Sequence, residues 1–207
     1  MSAEFEAALA QLAAGKVVAA ATESYFGLLA DISRPDAVEV LFSLKPRGSD
    51  KGVPSLLPAR AAWPALVRGE IPELARAFAD ALWPCALSIA LPASERVVSR
   101  VALDGSLAVR LPGASAAAEL CTRFGKTLSA TSANLPGAPP ATRSDQVEAE
   151  FSNAIADGRL YVLSGASPGG APSTVVSVNG AAYQVARIGA VAISALDAIA
   201  NARRPSA

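Results

Sequence analysis

The chain has 207 residues, with 18 Lys plus Arg against 18 Asp plus Glu and no histidine. That length suits one sizeable α/β domain and is short for two, while a net charge of zero excludes general polyanion affinity, so RNA contact requires a local basic patch. The lack of histidine excludes Ser-His-Asp hydrolysis, Cys-His catalysis and histidine-ligated zinc, and two cysteines, Cys85 and Cys121, are too few for a disulfide framework or a thiolate zinc site.

Phe5, Ala8, Leu9 and Leu12 recur at helical spacing behind Glu4 and Glu6, with Gly15 where a helix C-cap belongs, and predict a first helix. A strand follows over Val17–Ala21 and ends in Thr22, Glu23 and Ser24, polar groups at a strand's carboxyl end, where α/β sheets form ligand crevices. Val38, Leu41 and Phe42 mark a second helix behind Ser33 and Pro35. Lys45, Arg47 and Lys51 then fall in a loop broken by Gly and Pro, a pattern that alone more often means a solvated surface. Leu74, Phe78 and Leu82 mark a third helix after Pro72.

Residues 86–91 and 107–109 read as strands, the second ending at Arg110. A guanidinium there demands an anionic partner, either a ligand or an internal Asp or Glu. A helix over Ala116–Phe124, capped by Ser115, precedes a strand at 128–130 that runs into Thr131, Ser132 and Asn134 and closes on Pro136 and Gly137. Hydroxyls and freed backbone N–H groups at such an end suit an anion, although a lone Ser-x-Asn is more often a plain cap. Strands at 161–163, 174–178 and 183–186, with hairpin spacing at Asn179-Gly180, break a strictly parallel scheme. Segment 164–172 reads as a mobile loop able to cover a ligand, and 201–207 as a frayed tail. The expectation is an α/β chain with one domain over 1–207, a twisted mixed β-sheet flanked by helices. No signal peptide or membrane span is expected, and the sparse cysteines suit a cytoplasmic setting.

In chain order, Ala21-Thr22-Glu23 with Phe26-Gly27, Lys45-x-Arg47 with Lys51, Trp83-Pro84, Leu107-Ala108-Val109-Arg110, Ser132-Ala133-Asn134 with Gly137, Ser173-Thr174-Val175-Val176 and Arg187-x-Gly189 resemble the YrdC/TsaC family, the threonylcarbamoyl-AMP synthases of tRNA modification. Each motif is weak alone; their collinear order is what makes the resemblance specific. It implies a YrdC-like sheet with a concave ligand cavity. It also implies a reaction in which threonine and bicarbonate give a carbamate whose oxygen attacks the α-phosphate of ATP and expels pyrophosphate.

By that resemblance Lys45, Arg47, Ser132 and Asn134 are catalytic, Arg47, Lys51, Ser132 and Arg187 contact ATP, and Thr22, Arg110 and Ser173 contact threonine, Arg110 through the carboxylate. Nucleotidyl transfer needs positioning and charge neutralisation more than covalent catalysis, so a site without histidine suffices, and Mg²⁺ arrives on the nucleotide's phosphates without a protein cage. Implied partners are the small substrates, with tRNA and the threonylcarbamoyl-transfer machinery beyond them. The chain departs from the family pattern at Ala21, Leu29, Cys85, Pro136 and Pro140, changes that bear on substrate affinity more than on reaction class. Two other readings stay open: a YrdC-like module that binds RNA or nucleotide without turnover, and a hydrolase-like paralogue. Intact Lys45-x-Arg47 and Ser132-x-Asn134 weigh against both.

Overall fold

A computed structural model describes residues 2–45 and 52–203. Helix α1 (Ala3–Ala13) leads through Gly15, at φ +78°, into strand β1 (Val17–Ala21), which turns back as β2 (Phe26–Leu29). Helix α2 (Pro35–Leu44) begins on its proline, whose fixed φ and missing N–H suit the first helical turn. Then follow β3 (Ser55–Leu56), α3 (Glu73–Leu82), β4 (Leu87–Pro92), β5 (Ser106–Arg110) and α4 (Ala116–Phe124). Helix α4 starts where Ser115 Oγ accepts from the Ala118 N–H at 3.2 Å and stops at Gly125, φ +72°. The chain continues through β6 (Leu128–Ser129), β7 (Thr131–Ser132), α5 (Ser144–Glu150), α6 (Ser152–Ala156), β8 (Leu160–Val162), the hairpin β9 (Thr174–Asn179) and β10 (Ala182–Arg187), and α7 (Ile193–Asn201).

The α/β class with mixed pairing is as expected, and the ladders group into two sheets, ordered β7-β2-β1-β8 and β10-β9-β4-β5-β3-β6. Strand β1 explains its own composition. Val18 and Ala20 face a core formed with Ala8 and Leu12 of α1 and Ala117, Leu120 and Cys121 of α4. Val17, Ala19 and Ala21 face the larger core with α2 and α3. A strand covered on both faces carries no polar alternation, hence an unbroken apolar run.

The single strand expected at 128–130 is divided. Ser129 Oγ accepts from Ala30 N at 2.8 Å and donates to Leu28 O at 3.0 Å, while Ala130 N bonds Pro54 O at 2.7 Å, outside either ladder. The chain thereby leaves the six-stranded sheet as β6 and enters the four-stranded one as β7, where Ser132 pairs opposite Gly27. This crossing brings the polar residues after β1 beside those of β7.

Candidate functional site

The two sheets border a cavity of about 850 Å³ whose lining includes Thr22, Lys45, Arg110, Ser132, Ser173 and Arg187. These positions span most of the sequence, and six different element ends deliver them. Thr22 follows β1, Lys45 closes α2, Arg110 ends β5, Ser132 ends β7, Ser173 precedes β9 and Arg187 ends β10. Asn134 does not line the cavity but stands behind Lys45. Arg47 and Lys51 lie outside the described residues.

The Lys45 ammonium donates to Ser132 O at 2.7 Å, Ser132 Oγ at 3.0 Å and Asn134 Oδ1 at 2.9 Å. Asn134 Nδ2 turns the other way and donates to Leu135 O and Ala138 O, so one lysine and one asparagine hold the loop after β7. Lys45 is buried, and a buried ammonium is tolerable only with its N–H groups met.

Arg187 Nη2 donates to Ser173 Oγ at 2.8 Å and Arg187 Nε to Ser173 O at 3.0 Å. Ser173 Oγ also lies 3.3 Å from Ser88 Oγ on the buried strand β4. Burial, and then the nearby charge of Arg110, lower the Arg187 pKa, which marks a positively charged wall of the cavity. Gly189 is required beside it, because a Cβ there would overlap the Pro172 carbonyl oxygen.

The anion expected at Arg110 is present as an internal carboxylate: Nε donates to Glu23 Oε1 at 2.8 Å and Nη2 to Glu23 Oε2 at 3.4 Å. Thr22 departs from the simplest expectation. Its hydroxyl donates to Tyr25 O at 2.7 Å and accepts from Ser24 N at 3.2 Å and Tyr25 N at 3.3 Å, so it caps the turn after β1.

Segment 164–172, expected as a mobile loop, is tied down. Ser167 N donates to Thr142 O at 2.8 Å, Gly169 N to Ser24 O at 2.7 Å, and the Tyr25 hydroxyl to Gly170 O. Its last residue, Pro172, lines the cavity. The lining also includes Ala108 of the Leu107–Arg110 motif together with Ala90, Ser106 and Ser177, which sequence reasoning missed because small residues on strands carry no motif of their own.

A family model described as "Telomere recombination" and covering Sua5, YciO and YrdC matches residues 10–189. The chain is 32% identical over 167 residues to the threonylcarbamoyl-AMP synthase of Vibrio parahaemolyticus, covering 80% of this chain and 88% of that protein. It is 37% identical over 145 residues to the one from Stenotrophomonas maltophilia, covering 69% and 78%. Among solved structures, P. abyssi Sua5 complexed with L-threonine superposes with a TM-score of 0.86 at 28% identity, over 94% of this chain and 56% of that one. This chain thus spans little more than half of the solved Sua5. E. coli YciO, at 17% identity and a TM-score of 0.76, shares the fold.

Proposed function

The chain belongs to the Sua5, YciO and YrdC family, and on that premise we propose that it makes L-threonylcarbamoyl-AMP from L-threonine, bicarbonate and ATP, releasing pyrophosphate. The product is proposed to serve tRNA threonylcarbamoyladenosine modification in the cytoplasm, through a transfer machinery that accepts the adenylate. No helix among the described residues is long and apolar enough to cross a membrane.

The observation that carries this reading is the convergence in one cavity of Arg110, Arg187, Lys45 and Ser132, with Asn134 bracing Lys45 from behind. Adenylation joins two anions, a carbamate and a triphosphate. The barrier is therefore set by alignment and by neutralising charge, which fixed cationic donors supply without a covalent step. In this assignment Arg110 holds the threonine carboxylate, because a guanidinium matches a carboxylate in two parallel hydrogen bonds. Arg187, whose described hydrogen bonds go to neutral Ser173 oxygens, retains its charge for the nucleotide. Lys45 fixes Ser132, whose hydroxyl faces the nucleotide side, and Arg47 and Lys51 are assigned to the triphosphate from their place after α2. Ser173 and the turn closed by Thr22 complete the threonine side.

Glu23 is committed to Arg110, so we assign Mg²⁺ to the phosphate oxygens of the nucleotide it accompanies. Pyrophosphate release from ATP, with threonine and bicarbonate omitted in turn, tests the proposal. A module that only binds nucleotide, or a paralogue that hydrolyses the adenylate, gives no release from ATP in any mixture, and release that ignores threonine marks plain ATP hydrolysis.

A further inference from the structure

We infer that Glu23 is a positioning residue that sets the plane of the Arg110 guanidinium and so tunes how tightly the site takes a substrate carboxylate. The inference rests on the assignment of Arg110 to the threonine carboxylate. Arg110 lines the cavity and Glu23 does not, which places the guanidinium between its protein carboxylate and the substrate space. A guanidinium carries five N–H donors in one plane. Nε and one Nη2 N–H go to Glu23 at 2.8 and 3.4 Å, which leaves the end formed by Nη1 and Nη2 for a second carboxylate. Two carboxylates can thus share one arginine in a common plane, the first deciding where the second must lie.

Glu23 is itself held. It sits inside the turn that the Thr22 hydroxyl closes by accepting from the N–H groups of Ser24 and Tyr25. Gly113 lies beside it, where an added Cβ would come within 3.8 Å of the Glu23 Cβ. Side-chain exposures of 6% for Arg110 and 15% for Glu23 leave little room for either to swing. Thr22 then acts on threonine binding through Glu23 and Arg110, which accounts for a motif residue whose hydroxyl is spent on its own turn. Glu23 offsets the charge of Arg110, so the net positive charge on this side of the cavity comes from Arg187.

The test compares wild type, Glu23→Gln, Arg110→Lys and the double variant for threonine KM, ATP KM, kcat and thermal unfolding, with calorimetric titration of L-threonine into each. Glu23→Gln is expected to raise the threonine KM and Kd about tenfold as Arg110 loses its charged anchor, with ATP KM little changed and some loss of melting temperature from the buried guanidinium left without its anion. In the Arg110→Lys background the same change is expected to add almost nothing, since a lysine has no plane to orient. An unchanged threonine Kd in Glu23→Gln overturns the inference, as does an equal effect in both backgrounds. A joint rise of both KM values also overturns it, since that marks a merely structural carboxylate. If wild type itself fails to take up threonine, the proposed function fails with it; wild-type binding that Glu23→Gln leaves untouched removes only the positioning role.

Discussion

Lys45 Nζ and Asn134 Oδ1 meet at 2.9 Å across 89 positions of sequence, joining the end of α2 to the loop after β7. The same ammonium donates to Ser132 O and Oγ, so one side chain organises three acceptors of that loop.

Lys45→Met keeps most of the apolar stem of the side chain and removes its donors. Losing a charge-assisted hydrogen bond costs about 1.5–3 kcal/mol, and the stranded acceptors make the loop the element that suffers. The expected outcome is a lowered melting temperature together with a ten- to hundredfold fall in kcat/KM for ATP, on the order that this energy implies. Because both residues hold the same loop, Asn134→Ala in the Lys45→Met background is expected to cost much less than it does alone. Additive effects in thermal unfolding and turnover would show that the two act separately.

The paired tryptophans offer a stability test away from the cavity. Trp63 and Trp83 pack with ring centroids 4.8 Å apart and planes tilted by 55°, but Trp83 Nε1 donates to Leu87 O at 2.7 Å whereas the buried Trp63 Nε1 has no partner among the described residues. Trp83→Phe therefore loses a hydrogen bond worth about 0.5–1.5 kcal/mol on top of lost volume, while Trp63→Phe discards an unmet donor that partly offsets its smaller volume. Urea unfolding is expected to rank Trp83→Phe as the less stable variant. The reverse order would refute the assignment of the orphan donor.

Much of this arrangement was legible in the sequence. Helix α4 was announced by its Ser115 cap, whose chemistry is local, and β1 by an apolar run that only a strand covered on both faces permits. Helices α5 to α7 were not foreseen: α5 and α6 are short, with few buried residues, and α7 buries only Leu196, so the apolar stripe is too thin to read. The split of β6 from β7 was invisible because it depends on Ser129 and Ala130 bonding to Ala30 and Pro54, far away in sequence. In the candidate site, β1 ends before Thr22, α2 before Lys45 and β5 at Arg110, where the sequence reading put them, whereas Ser132 ends the unforeseen β7. The motifs left open whether the partner of Arg110 was a ligand or a protein carboxylate, since nothing local to Glu23 says which way it points.

A pH profile probes the core under α4. Burial pushes the Cys121 thiol up from 9.0 to about 12. Between those values the unfolded thiol ionises while the folded one keeps its proton, so the unfolded chain binds fewer protons and stability falls as pH rises; below about 9 the contribution is fully present. A one-proton difference gives a slope of up to ~1.4 kcal/mol per pH unit. Urea unfolding of wild type and Cys121→Ala is expected to show the wild-type curve falling more steeply above about pH 9, the window of the buried thiol. Parallel curves would mean that the folded thiol ionises normally.

We propose that Arg110, Arg187 and the Lys45 cluster assemble one site for a threonine-derived carbamate and ATP. Pyrophosphate release from ATP and Mg²⁺ with bicarbonate present, as L-threonine is titrated from zero, tests this assembly directly. Release is expected to be absent without threonine and to saturate as threonine is added, accompanied by an adenylate in which a threonylcarbamoyl group replaces one hydrogen of AMP. Release at the same rate without threonine, or none at any threonine concentration, would contradict the proposed assembly.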